Sequence, residues 1–165
     1  MGGRSSVIFP AGARTPSEGR NVLLGEFEQR LDDKNRVTIP ARLRAHFEAG
    51  VFVNRGIDQC LQVFDPKGWN AYVTAETTRL DLFTREGRQM QRFLFAAVET
   101  EIDRQGRVAL PARMLERAAI ERDIVVAGTG DRLEIWNRDA WRREFDEFEG
   151  SVDVAAERLA RESHR

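Results

Sequence analysis

From Leu23 onward, apolar and polar residues alternate over a short run, give way to apolar positions spaced by three and four, and later alternate again. Period two marks a half-buried strand, and period 3.6 marks a helix with one apolar face. Leu23 to Leu31 therefore predicts an entering strand, Asp33 to Asn35 a tight turn, and Val37 and Ile39 a return strand with more polar neighbours. Pro40 stops that strand and suits the first turn of a short helix, Ala41 to Phe47. Val51 to Val53 predicts a third strand and Cys60 to Phe64 a fourth across a glycine-containing turn, and a helix containing Trp69 closes the series. Within residues 81–97, Leu82, Phe83, Met90, Phe93, Leu94 and Ala97 stand at mostly helical spacing. They predict a connecting helix packed on the core, with Gly87 as its weak point.

The series then recurs. RLDDKNRVTIPARLR at 30–44 returns as EIDRQGRVALPARML at 101–115, an offset of 71 that pairs Asp32 with Asp103 and Arg36 with Arg107. Further on the offset is 72, pairing Leu61 with Leu133, Val63 with Ile135 and Trp69 with Trp141. The second set of strands is expected at Val98 to Ile102, around Val108 and Leu110, at Ile124 to Ala127 and at Arg132 to Trp136, with a turn at Arg104 to Gly106 and a helix at Ala112 to Ala118 after Pro111. One half of roughly 40 residues buries too little apolar surface to stand alone. Two halves interleaved about a pseudo-twofold axis share one core, with Trp69, Trp136, Trp141 and the phenylalanines as anchors of the core or of contacts between protomers.

Composition narrows the class. With 41% apolar and 32% charged residues in 165, the chain reads as a folded, cytosolic domain pair. No apolar run approaches the roughly 20 residues needed to span a bilayer, and the first residues lack a secretory core. The single Cys60 forbids an intramolecular disulfide and reads as core volume. Net charge is only −1, so any basic surface must be local. Residues 1–44 carry eight Lys or Arg against five acids, whereas residues 138–165 carry six Arg against eight. Residues 1–20, rich in Gly, Ser, Pro and Arg without apolar period, read as a disordered extension.

In each copy a hairpin brings an Asp at the end of one strand close to an Arg at the start of the next. The carboxylate can accept turn amides and orient the guanidinium, making a rigid tip with an aimed positive group. Gly106 supplies positive φ in copy two, and Asn35 is among the few residues that tolerate it in copy one. Arg30, Lys34 and Arg36 against Asp32 and Asp33 leave residues 30–36 at +1, while Arg104 and Arg107 against Glu101 and Asp103 leave residues 101–107 neutral. Arg42 and Arg44 are expected to enlarge the basic surface of copy one. On charge alone Lys34 and Arg36 can be solvated or contact phosphates or bases, whereas Asp103, Gly106 and Arg107 are expected mainly to staple their own half.

Catalysis has little to stand on. His46 reads as a helix-surface residue and His164 sits in a floppy tail, so no Ser-His-Asp or Cys-His pair can be assembled. Gly128 and Gly130 belong to a hairpin and precede no Lys-Ser/Thr, so no phosphate loop is present. No metal site or cofactor is expected.

LLGEFEQRLDDKNRVTIPARLR, EIDRQGRVALPAR and DRLEIWNRDAW together resemble the bacterial MraZ family, whose halves are of the AbrB-like (SpoVT-AbrB) swapped-hairpin kind; the likeness covers roughly residues 22–145. It implies an α+β fold: two tandem β-rich halves, 22–70 and 98–145, forming one pseudo-twofold barrel, joined by a helical segment 71–97 and followed by a charged tail 146–165. It further implies a nucleoid-associated regulator that binds direct repeats in the promoter of the division and cell-wall gene cluster, represses its own operon, and assembles into a ring. The family's Asp-x-x-x-Arg motif falls on Asp32 and Arg36 and on Asp103 and Arg107, and its loop Lys on Lys34. The expected DNA-binding set is Arg30, Asp32, Lys34, Asn35, Arg36 and Arg42, with double-stranded promoter DNA and other copies of the chain as partners, and no membrane or small-molecule substrate. Asn35 departs from the family's usual glycine and puts a polar side chain at the tip. Two rivals remain: a ring-forming scaffold that does not touch DNA, and an AbrB dimer of the antitoxin kind, against which the internal duplication argues.

Overall fold

The computed structural model describes residues 22–164; the extension expected at 1–20 lies outside them. Eight strands alternate with short helices: β1 Glu26–Arg30, β2 Arg36–Thr38, a 3-10 helix Ala41–Phe47, β3 Val51–Arg55, β4 Leu61–Phe64, α1 Pro66–Thr78, α2 Arg85–Leu94, β5 Val98–Thr100, β6 Arg107–Ala109, α3 Ala112–Arg117, β7 Asp123–Gly128, β8 Leu133–Asn137, α4 Arg138–Glu149 and α5 Val152–Glu162. Pro40 and Pro111, each with an extended ψ, end β2 and β6 and stand one residue ahead of the helix that follows, as a residue lacking an N–H permits.

The first strand of each copy is carried by the other copy. In the six-stranded antiparallel sheet the order is β1-β7-β8-β4-β3-β5, so β1 pairs with β7 from Glu26↔Ala127 to Arg30↔Asp123, and β5 pairs with β3. Exchanging the copies reverses the order without changing it. The axis of that exchange passes through Gln62↔Glu134, where β4 meets β8, and through Val37↔Val108, where β2 meets β6 in a separate two-stranded ribbon. β1 and β5 are the edges of the sheet, and the ribbon lies across the core from it.

Alternation decides what fills the space between. Val37, Ile39, Val108 and Leu110 from the ribbon side meet Val53, Val63, Val126 and Ile135 from the sheet in one buried cluster. Each such side chain contributes about 1.5–3 kcal/mol when fully buried. On the opposite face of the sheet, Phe64 meets Trp69 of α1 edge to face at 5.7 Å and Phe52 stacks on Trp69 at 5.7 Å. In copy two Trp136 meets Trp141 of α4 at 5.6 Å, and the Trp141 indole donates to Glu26 of the swapped strand at 2.6 Å. The tryptophans thus anchor helices to the sheet.

Three expectations are corrected. The connecting helix begins only at Arg85: Thr84 caps it by accepting from the Gly87 amide at 3.0 Å, and a Cβ on Gly87 would collide with the Asp81 carbonyl as the chain folds back. Gly87 therefore permits the helix start, Leu94 is buried, and Phe83 is left 98% exposed before the first turn. His46 is no surface residue; its side chain is 8% exposed, with Nε2 3.3 Å from Asp65 and its ring edge-on to Phe47. The segment read as a tail from residue 146 is helical: α4 runs through that boundary to Glu149, and α5 carries His164 just beyond its end.

A chain ending at residue 97 lacks the partner for β1 and half of the core. It should give no cooperatively folded monomer by circular dichroism and sedimentation, only unfolded chain or a dimer that swaps with itself. A monomer with a sharp melting transition would refute the shared core.

Candidate nucleic-acid interface

At the first turn the Asp32 carboxylate does three things at once. Its Oδ1 accepts from the amides of Lys34 and Arg36, both at 2.9 Å, and its Oδ2 accepts from Arg36 Nε at 2.6 Å. Asn35 holds φ 56°, the left-handed conformation that Asn tolerates at modest cost. Turn two repeats the arrangement: Asp103 Oδ1 accepts from the Gln105 and Arg107 amides, and Oδ2 from Arg107 Nε, all at 2.9 Å, with Gly106 at φ 77°. Burial pushes the Asp32 carboxyl up, but the Arg36 amide and guanidinium and the Lys34 amide outweigh it and hold it below the usual carboxylate value. At Asp103 the Arg107 amide is the main cause of the same downward shift, against burial, with the Arg107 guanidinium and the Gln105 amide adding to it.

The ribbon sets the two turns side by side, and each donates to or accepts from the other copy. Ile39 N donates to Gly106 O at 2.7 Å, and Leu110 N to Asn35 O at 2.9 Å. Because Val37 and Val108 point into the core, Arg36 and Arg107 stand on the outward face. Arg107 Nη1 reaches Asp32 Oδ2 at 3.7 Å, so one carboxylate faces both arginines. The two are equally exposed, 25% and 27% of their side chains, so exposure does not rank them. Gln29 of β1 clamps the ribbon edge, accepting from Thr38 N at 2.9 Å and donating to Thr38 O at 2.8 Å.

Of the residues expected to form the site, Asp32, Lys34, Asn35 and Arg36 come together with Asp103, Gly106 and Arg107. Lys34 is exposed beside the bend. Arg30 pairs instead with Asp123 at 3.3 Å, and Arg42 lies over the Phe27 ring at 4.9 Å. Arg44, expected to add charge to copy one, is not there. It donates from Nε to Ile39 O at 2.8 Å and its guanidinium lies on Gly106, in the space a Cβ would need. The helix of copy one thus packs on the turn of copy two. Reciprocally, Asn35 shares an open groove of about 390 Å³ with Leu115, Glu116 and Glu121 of copy two, and Asp33 pairs with Arg122 at 3.2 Å.

This exchange accounts for the unusual Asn35. Leu115 occupies the position equivalent to Arg44 and borders an open groove beside Asn35, whereas the Arg44 side chain lies in the space that a Cβ on Gly106 would need. Two coupled differences between the copies, Arg44 with Gly106 and Leu115 with Asn35, were the signal in the sequence for this cross-docking, and it becomes readable only once the swap is taken into account. Gln29 carried no such signal. Elsewhere, burial first and then the charges of Glu134 and Asp58 push the Cys60 thiol up, so it stays protonated. Among the described residues no group of three or more His, Cys, Asp or Glu could hold a metal ion, and no helix is long and apolar enough to cross a membrane.

A lowered carboxyl pKa contributes stability that is present above the unfolded value, near 3.9, and lost as pH falls through the folded value. Asp103→Asn should therefore melt below the parent chain at pH 7, with the gap closing below about pH 4. A gap in Tm that stays constant across that range would show that the brace does not act through the carboxylate charge.

The family model described as "MraZ protein, putative antitoxin-like" matches residues 22–93 and again 93–162, meeting within α2. The transcriptional regulator MraZ of Thermoanaerobacter sp. strain X514 is 36% identical over 140 residues, 84% of this chain and 94% of that protein. That of Heliobacterium modesticaldum is 37% identical over 84% of this chain and 96% of its own length. The Roseiflexus castenholzii protein of the same name is 36% identical over 84% and 97%. With both copies matched and relatives aligned nearly end to end, the chain belongs to the MraZ family.

Proposed function

We propose that this chain is a transcriptional regulator that binds double-stranded promoter DNA through the β2·β6 ribbon. The observation that carries the reading is the outward pair Arg36 and Arg107, each held rigid by a carboxylate on a turn the fold presents to solvent. The names of its relatives support the regulatory half of it. A major groove about 12 Å wide admits a two-stranded ribbon, and Arg or Lys can there read guanine while Asn reads adenine. Lys34, Asn35 and Arg36 carry the reading at turn one.

One ribbon offers one or two base contacts, each worth about 1–3 kcal/mol of discrimination, which is too little to select a site in a genome. Several chains in one ring make each further contact intramolecular, and the affinities compound. Phe83, Phe148, Val154 and Leu159, exposed on the loop before α2 and on α4 and α5, support assembly with further copies. Boxes about 10 bp apart then put successive ribbons on one face of the duplex, and ring rotation makes those boxes direct repeats. We place them in the promoter of the division and cell-wall gene cluster, with repression of the protein's own operon as the outcome.

Two measurements test this. Gel-shift affinity for the promoter should fall by orders of magnitude between about 50 and 200 mM salt, as it does when several basic side chains release counterions together, and Arg36→Ala should abolish specific binding while the far-UV spectrum is retained. A scaffold would show no binding at moderate salt. On synthetic promoters, repeats spaced by one turn should bind more tightly than repeats spaced by one and a half turns or a single box; equal affinity for all three would sink the ring-avidity mechanism.

A further inference from the structure

The sequence ranks turn one as the more basic tip, but the swap sets acidic side chains beside turn one and an arginine beside turn two. Among the described residues, α3 brings Glu116 and the loop after it brings Glu121 to the groove beside Asn35, and Arg30 and Asp33 of that tip are engaged by Asp123 and Arg122. The helix packed on turn two brings Arg44. Turn two itself carries Arg104, exposed, and Arg107. Only Nε of Arg44 has a partner among the described residues, the Ile39 carbonyl, so both terminal nitrogens of a half-buried guanidinium remain to donate.

We propose that Arg44 is delivered by the swap to complete a phosphate-binding surface on turn two, where it joins Arg104 and Arg107 against the DNA backbone while turn one reads bases. Resting on the proposed DNA-binding reading, this gives the second copy more than the bracing role expected from its sequence. Its chemistry is the planar donor fork of arginine against phosphate oxygens, pre-oriented because Nε is already fixed to Ile39 and the stem lies flat on a residue without Cβ. Phosphate contacts set register and orientation without sequence information, so the contribution of Arg44 should be the same on any duplex.

Fluorescence anisotropy of the full chain on a labelled 40-bp duplex of random sequence, titrated with salt, tests it. Arg44→Gln should weaken binding about five- to tenfold and reduce the slope of log K against log salt by about 0.9 for each turn engaged. Arg44→Lys keeps the charge but loses the Ile39 bond, so it should retain the slope while melting lower. Arg104→Gln, on the exposed bend, should reduce the slope without changing the melt, and it keeps the test open if Arg44→Gln fails to fold. Parent-like slopes for Arg44→Gln and Arg104→Gln, with a reduced slope for Lys34→Gln, would overturn the proposal and leave DNA binding through turn one intact. If the parent chain binds no duplex at low salt, the DNA-binding reading itself fails, and this proposal with it.

Discussion

Neither half of this chain can complete its own sheet. β1 has β7 as its ladder partner and β5 has β3, so the backbone ladder of the first strand of each copy is completed by the third strand of the other. From that exchange follow the shared core and the pairing of β2 with β6 across the axis, because the two return strands leave their swapped strands at the same place and meet there. A half-copy of this size would bury too little apolar surface alone, and interleaving removes the difficulty without lengthening either repeat.

On that frame the turns are set by local electrostatics. A carboxylate with three donors is held ionised, and it fixes both the path of the bend and the direction of the arginine that follows it. The same group that stabilises the turn therefore aims the cation. Rigidity of this kind matters for recognition, since a side chain already fixed in direction loses less entropy when it engages a ligand.

Much of this was legible from the residues. Strand alternation, the proline stops, the positive φ at Asn35 and Gly106, and the Asp-to-Arg brace are all decided within a few positions, and all stand where the sequence puts them. What was not legible depends on residues far apart in the chain. Arg44 follows Arg36 by eight residues in copy one yet packs on Gly106 of copy two, and Arg42 is drawn to Phe27. His46 has its charged neighbour in Asp65, at the start of α1. The start of α2 turned on a backbone approach to the Asp81 carbonyl that no periodicity encodes, and α5 buries nothing in this chain, so its pattern had no internal partner to point to.

The pairing of Arg44 with Gly106 and of Leu115 with Asn35 has a consequence for heredity. In a dimer of identical chains one codon would specify both turns and another both facing helices, and a single combination would have to satisfy the two sites together. Fusing the halves into one polypeptide frees each combination to drift by itself. The near-symmetric body thereby acquires a head and a tail: rotated by half a turn, it no longer presents the same face. On the proposed DNA-binding reading, such an object distinguishes a sequence from its reverse complement, which a true palindrome-reader cannot do.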